Sequence, residues 1–183
     1  ADSKWRVRSA VIENMPMLAK QLGVQFFNDK LISLSLEWLS DVVFSIRKAA
    51  AANLCRLTDI FGEEWARVHV VPCIKEMQTN ASFAKRMTAV HAVQVLLSRS
   101  AGRSAPSHSM VSEVFLPIVL AMSNDPVPNI RFNVAKTLVV VTEIFKLEYG
   151  APLPHEIIPV LTRLAGDLDR DVRHHAEAAI AAK

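Results

Sequence analysis

Apolar residues recur along this chain with a helical period, and the helical stretches themselves repeat. From Asp125, the stretch DPVPNIRFNVAKTLVVVTEIF sets Val134, Leu138, Val141 and Phe145 four, three and four residues apart, which is one face of a helix with 3.6 residues per turn. The same face returns as Val11, Met15, Leu18 and Leu22, as Ala50, Leu54, Leu57 and Phe61, and as Ala89, Val93 and Leu96. Each copy starts from one polar skeleton: Asp or Asn, four variable residues, an apolar residue followed by Arg, two residues, then Ala or Val. The skeletons begin at Asp2, Asp41, Asn80, Asp125 and Asp167 and carry Arg8, Arg47, Arg86, Arg131 and Arg173. The Asn80 copy departs twice, with Asn for Asp and Lys85 in the apolar place. Successive arginines are 39, 39, 45 and 42 positions apart, close to the period of about 40 to 47 of two-helix solenoid repeats.

A second helix is predicted ahead of each skeleton. Pro72, Pro117 and Pro159 each stand eight residues before the Asp or Asn, with Val71, Ile74 and Met77, Leu116, Val119 and Met122, and Ile158, Leu161 and Leu164 in step around them. Ser33 takes the proline's place in the second copy, where Ile32 and Trp38 hold the face. An interior proline removes a helix hydrogen bond, so the shared register predicts a shared bend in these first helices. Pro16 has no counterpart and predicts a local kink. Gly23 and Gly62, each fifteen residues after an arginine, suit helix ends. The four-residue segments after each Asp read as turns within a repeat. GVQFF, GEEW, residues 99–109 and EYGAPLP join one repeat to the next. The 99–109 stretch, RSAGRSAPSHS, is polar and basic and reads as a mobile surface loop. Pro152 and Pro154 suit the approach and first turn of the last first-type helix.

These elements predict an all-α chain, one α-solenoid over 1–183 of about four and a half antiparallel helix pairs stacked in a curved array. Residues 1–23 form the second helix of a truncated repeat, and 24–62, 63–102, 107–150 and 152–183 the repeats that follow. Because the first residues already occupy a within-repeat turn, the native protein is expected to continue N-terminally through more repeats.

Composition narrows the chemistry. Half of the 183 residues are hydrophobic and only five are Gly, which fits a packed helical chain. No apolar run reaches the roughly 18 residues of a membrane span, and ADSKWRVRSA lacks the apolar core of a signal peptide. Cys55 and Cys73 lack CxxC spacing and read as buried free thiols of a reducing compartment, so the expected location is the cytoplasm, with the nucleus second. A net charge of +3 does not announce a nucleic-acid binder. His174 and His175, adjacent on a helix, point about 100° apart and make poor joint metal ligands. His69, His91, His108 and His155 are scattered without HExxH, and neither GxSxG nor a Gly-rich phosphate loop occurs. Glu63 and Glu64 fit a helix first turn. Asn80-Ala-Ser82 matches a glycosylation sequon that a cytosolic chain would not have modified. The chain is therefore expected to be no enzyme and to need no cofactor or metal.

Two features of the skeleton could carry function. The arginines could pair with Asp of a neighbouring repeat, as a ladder of charge-assisted hydrogen bonds, or form a phosphate-binding stripe; the ladder is the better reading. The third position after each Asp or Asn holds Trp5, Phe44 and Phe83, then Pro128 and Arg170. Stacked repeats would align these as a ridge suited to a protein interface, unless each ring folds back over its own helix pair.

At KWRVR (4–8), QLGVQFF (21–27), IRKAA (46–50), FGEEWA (61–66), KRMT (85–88) and DPVPNIRFNVAK (125–136), the chain resembles HEAT repeats. More narrowly, it resembles the C-terminal repeats of the scaffolding A subunits of protein phosphatase 2A. HHAEAAIAAK follows that pattern only loosely, and the 99–109 loop is longer than usual. The resemblance implies a non-catalytic scaffold whose within-repeat turns hold the catalytic subunit of a serine/threonine phosphatase. Regulatory B-type subunits would bind further repeats towards the N-terminus, with neither nucleic acid nor membrane as partner. Position by position it implies partner contacts at Lys4, Trp5 and Arg6, at Val43 and Phe44, at Ser82 and Phe83, at Val127, Pro128 and Asn129, and at Asp169 and Arg170. The alternatives are a nucleic-acid-binding array using Arg99, Arg103, Lys85 and Arg86, and a transport-receptor module that binds peptides.

Overall fold

The computed structural model describes residues 4–98 and 105–181. Arg99 and Arg103 lie outside them. The chain is an all-α solenoid of helix pairs, divided into two compact units, Ala1–Leu96 and Leu97–Lys183.

In the first unit α1 (Trp5–Lys30) is two helices joined at Gly23, whose φ of 79° only glycine adopts cheaply. It is followed by α2 (Ile32–Glu37), a 3₁₀ turn over Trp38–Ser40, α3 (Phe44–Phe61), α4 (Glu63–Gln78) and α5 (Phe83–Leu97). Gly62, with φ 92°, ends α3 and turns the chain into α4. The two glycine corners bring three rings together: Phe27 is 5.3 Å from Phe61, and Phe61 is 5.1 Å from Trp65. Trp65 Nε1 donates to Asn28 Oδ1 at 2.8 Å, so the buried indole keeps its polar atom satisfied. Full burial of Phe27, Leu54 and Leu57 supplies about 2 kcal/mol each.

The periodic face is buried as expected in α3 and α5, at Ala50, Leu54 and Leu57 and at Ala89, Val93 and Leu96. In α1 it is not. Met15 is buried, but Val11 and Leu22 are exposed, and the buried stripe runs instead through Ile12, Met15 and Ala19. One residue around a helix is 100°, and α1, which packs chiefly against α3, buries the adjacent stripe. α3, in contrast, buries Ile46, Leu54 and Leu57 and also Ala51, Cys55 and Thr58.

The second unit holds a π-helical turn (Met110–Phe115) leading into α6 (Leu116–Ala121), a 3₁₀ turn over Met122–Asn124, and α7 (Pro128–Ile144) with a π-helical end (Phe145–Tyr149). α8 (Ile157–Ala165) and α9 (Arg170–Ala181) complete it. Arg163 on α8 donates to Ser123 O at 3.2 Å and to Ser123 Oγ at 2.7 Å, tying the first helices of two successive repeats. α9 packs on both α7 and α8.

The prolines behave less uniformly than their register suggests. Pro72 lies inside an unbroken α4, Pro117 follows the π turn, and Pro159 falls in the first turn of α8, where no N–H is needed. All three face solvent. α8 starts at Ile157 rather than near Pro154, whose carbonyl accepts from Ile157 N at 3.1 Å. The end of the 99–109 stretch is docked rather than free. Pro106 is buried and its carbonyl accepts the Tyr149 hydroxyl, while the His108 ring packs 5.1 Å from both Phe145 and Tyr149.

Candidate partner-binding edge

Among the described residues, the four within-repeat turns that begin at Asp41, Asn80, Asp125 and Asp167 are closed by the same clasp, while Asp2 lies outside them. The Asp or Asn side chain accepts the N–H two residues on: Asp41 from Val43 at 2.8 Å, and Asn80 from Ser82, Asp125 from Val127 and Asp167 from Asp169 at 2.9 Å. The arginine six residues later returns to the carbonyl of that same Asp or Asn: Arg47 at 2.8 Å, Arg86 at 3.0 Å, Arg131 at 2.8 Å and Arg173 at 2.7 Å. Each also donates to the next carbonyl. A five-donor guanidinium is suited to this because two donors fix the turn and others remain for a neighbour.

The remaining donors make the expected ladder where an Asp is available within a unit. Arg8 holds Asp41 at 2.8 and 3.0 Å, and Arg131 holds Asp167 at 2.7 and 2.8 Å, in both cases two-pronged. The hydrogen bond from Arg131 holds the Asp167 carboxyl below the usual carboxylate range against the opposing effect of burial, and the bond to Asp167 raises the Arg131 pKa. Arg47 has no such bond with Asn80; its guanidinium lies 5.5 Å from the centre of the Phe44 ring instead.

Trp5, Phe44, Pro128 and Arg170 do not lie within the turns, as the spacing suggests, and neither does Phe83. Each is the first residue of its second helix. The missing proline N–H costs nothing at that position, which is why Pro128 can stand where the others carry rings. Trp5 is 42%, Phe44 62% and Phe83 42% exposed, so the rings do not fold back into the core. Arg6 stacks on Trp5 at 4.9 Å as Arg47 does on Phe44. The Arg8–Asp41 pair brings the start of α1 beside the turn that precedes Phe44.

The other predicted contacts divide. Lys4, Arg6, Ser82, Pro128, Asn129 and Arg170 are exposed; Val43 and Val127 are half-buried in the extended residue that precedes each helix. Asp169 has a structural task, since its Oδ1 accepts from Asp171 N at 3.0 Å and Val172 N at 3.2 Å and caps α9. Sequence reasoning missed Val42 and Leu168, which are 91% and 98% exposed. Both follow an Asp whose side chain turns the backbone back on itself, so the next side chain is thrown outward.

Among the described residues no group of three His, Cys, Asp or Glu could hold a metal ion, and no helix is long and apolar enough to cross a membrane. The His174 and His175 rings are 5.4 Å apart, with His175 edge-on to Phe132. Burial lowers the His175 pKa, and His174 lowers it further. Neither Cys55 nor Cys73 forms a disulfide; Cys55 is buried as expected but Cys73 only half-buried, and burial raises the pKa of the Cys73 thiol.

The family model of the HEAT repeat matches residues 115–145. The chain is 40% identical over 131 residues to the protein phosphatase PP2A regulatory A subunit of Saccharomyces cerevisiae, an alignment covering 69% of this chain and 20% of that protein. It is 41% identical over 60 residues to the serine/threonine-protein phosphatase PP2A 65 kDa regulatory subunit of Drosophila melanogaster, covering 33% of this chain and 10% of that protein. The chain thus spans a fifth or less of the length of these relatives.

Proposed function

Since the chain is a HEAT-repeat protein similar to the regulatory A subunits of protein phosphatase 2A, we propose that it is a non-catalytic scaffold. The starts of its second helices would hold the catalytic subunit of a serine/threonine phosphatase. Three large aromatics left open to solvent at equivalent helix starts carry this reading. The clasp does not require a ring, since it closes equally where this position is Pro128 or Arg170. Exposed aromatics, two of them stacked with a guanidinium, Trp5 with Arg6 and Phe44 with the clasp arginine Arg47, are the material of interface anchors. Flanking contacts would come from Lys4, Arg6, Val43, Ser82, Val127, Pro128, Asn129 and Arg170. Further repeats of the whole protein would bring regulatory B-type subunits to the same catalytic partner, in the cytoplasm and the nucleus. A phosphate-binding stripe is the weaker reading, because Arg8 and Arg131 are committed to carboxylates and Arg47 and Arg173 to carbonyls.

The test is Trp5→Ala and Phe44→Ala in the full chain, measured for thermal unfolding and for association with the catalytic subunit of a phosphatase. Each is expected to weaken association by about 2 kcal/mol and leave the melting point within a degree or two. Unchanged association, or melting that falls in step with it, would refute the anchor role.

A further inference from the structure

In the second unit, where the pattern of apolar residues predicts a sealed face, the structure opens one. Leu161 and Leu164 are fully buried, but Ile158, the first member of the same stripe, is only half-buried. It lines a cavity of about 500 Å³ together with Thr142, Phe145, Lys146, Ala151 and Leu153. The opening has a local cause. The end of α7 relaxes into a π turn over Phe145–Tyr149, a wider winding that recurs at functional sites. Gly150 then takes the left-handed conformation, with φ 54°, and the chain arches back, Ala151 N donating to Phe145 O at 3.2 Å. The π turn supplies Phe145 and Lys146 to the wall of the cavity, the arch Gly150 and Ala151, and the first turn of α8 Ile158.

The lining is apolar apart from two groups. The Thr142 hydroxyl already donates to Leu138 O at 2.8 Å. Lys146 is exposed and makes neither a hydrogen bond nor an ion pair among the described residues. A pocket of this size with apolar walls and one unpaired cation has the general form of a small-molecule site. We propose that it binds an amphipathic carboxylate of the fatty-acid type, with the hydrocarbon chain against Phe145, Leu153 and Ile158 and the carboxylate at the Lys146 ammonium. A peptide fits less well. Its backbone N–H and C=O groups would need partners, and the N–H groups of Gly150 and Ala151 are both taken by Phe145 O. An acyl chain brings no such demand.

The probe is laurate, titrated below its micelle concentration into the full chain by calorimetry, with methyl laurate as the uncharged comparison. Saturable binding at one site is expected. Ile158→Trp, which fills the cavity, should weaken it at least about tenfold, and Lys146→Gln should weaken laurate about tenfold while leaving methyl laurate within about twofold. Methyl-group NMR on the unaltered chain provides a reading that needs no variant: Ile158 and Leu153 should shift on adding laurate. The proposal is overturned by absence of saturable binding, or by binding that survives Ile158→Trp at an unchanged melting point. It is equally overturned by parallel losses for laurate and methyl laurate in Lys146→Gln, or by shifts confined to the exposed Val7 and Val11 face of α1.

Discussion

Arg131 reaches out of its own turn to grip Asp167 with two hydrogen bonds, whereas Arg47, in the equivalent place, donates only to carbonyls of its own turn and rests against Phe44. The backbone clasp is the same in both, so turn closure does not depend on the neighbour. What differs is the residue opposite. Asn80 still accepts the Ser82 N–H, as an Asp would, but carries no charge to draw the guanidinium across. The skeleton therefore performs two separable tasks, closing a turn and joining repeats, and a single Asp-to-Asn difference removes the second while keeping the first.

The comparison can be broken most severely at Arg131. Arg131→Ala removes clasp and rung together and leaves Asp167, whose side chain is 9% exposed, without its cation; a loss of about 3 kcal/mol is expected, read from urea unfolding of the full chain. Asp167→Asn should turn this rung into the Asn80 kind, keeping the Asp169 N–H bond, at about 1.5 kcal/mol. Its pH dependence has a defined sign. The folded Asp167 carboxyl titrates below its unfolded value of about 3.9. Its contribution is therefore complete above that value and disappears as pH falls through the folded pKa. The gap between the native chain and Asp167→Asn should be constant near neutrality and close below about pH 4; a gap that persists in acid would show that the ion pair is not its cause.

Asn80→Asp is the reverse experiment. A carboxylate opposite Arg47 is expected to raise stability by about 0.5 to 1 kcal/mol, and the gain should vanish in Arg47→Lys, whose single ammonium cannot hold both clasp and rung. The smallest effect belongs to Val42→Ser, at a side chain 91% exposed: thermal stability should change by less than about 0.5 kcal/mol.

Much of this was legible in the residues. Local signals, such as apolar offsets of three and four, glycines at helix ends and a recurring Asp–Arg spacing, correspond directly to buried stripes, positive φ at Gly23 and Gly62, and the clasp. Which of two adjacent stripes α1 buries depends on what packs against it, and that is not written in α1. The π turn at Phe145–Tyr149 was likewise hidden, because its sequence reads as ordinary helix and only the docked Pro106, His108 and Tyr149 group shows otherwise. For the candidate edge, spacing found the rings but not their place as first helical residues. Val42 and Leu168 escaped notice because an apolar residue beside a periodic run looks like part of the core.

The position that opens each second helix tolerates Trp, Phe, Pro and Arg alike, since its N–H is unneeded and its side chain points to water. Under the proposed function, recognition and folding would be written in different columns of the repeat. A protein built this way can be given a new binding specificity by rewriting one letter per module, with the hinge chemistry beneath it left untouched.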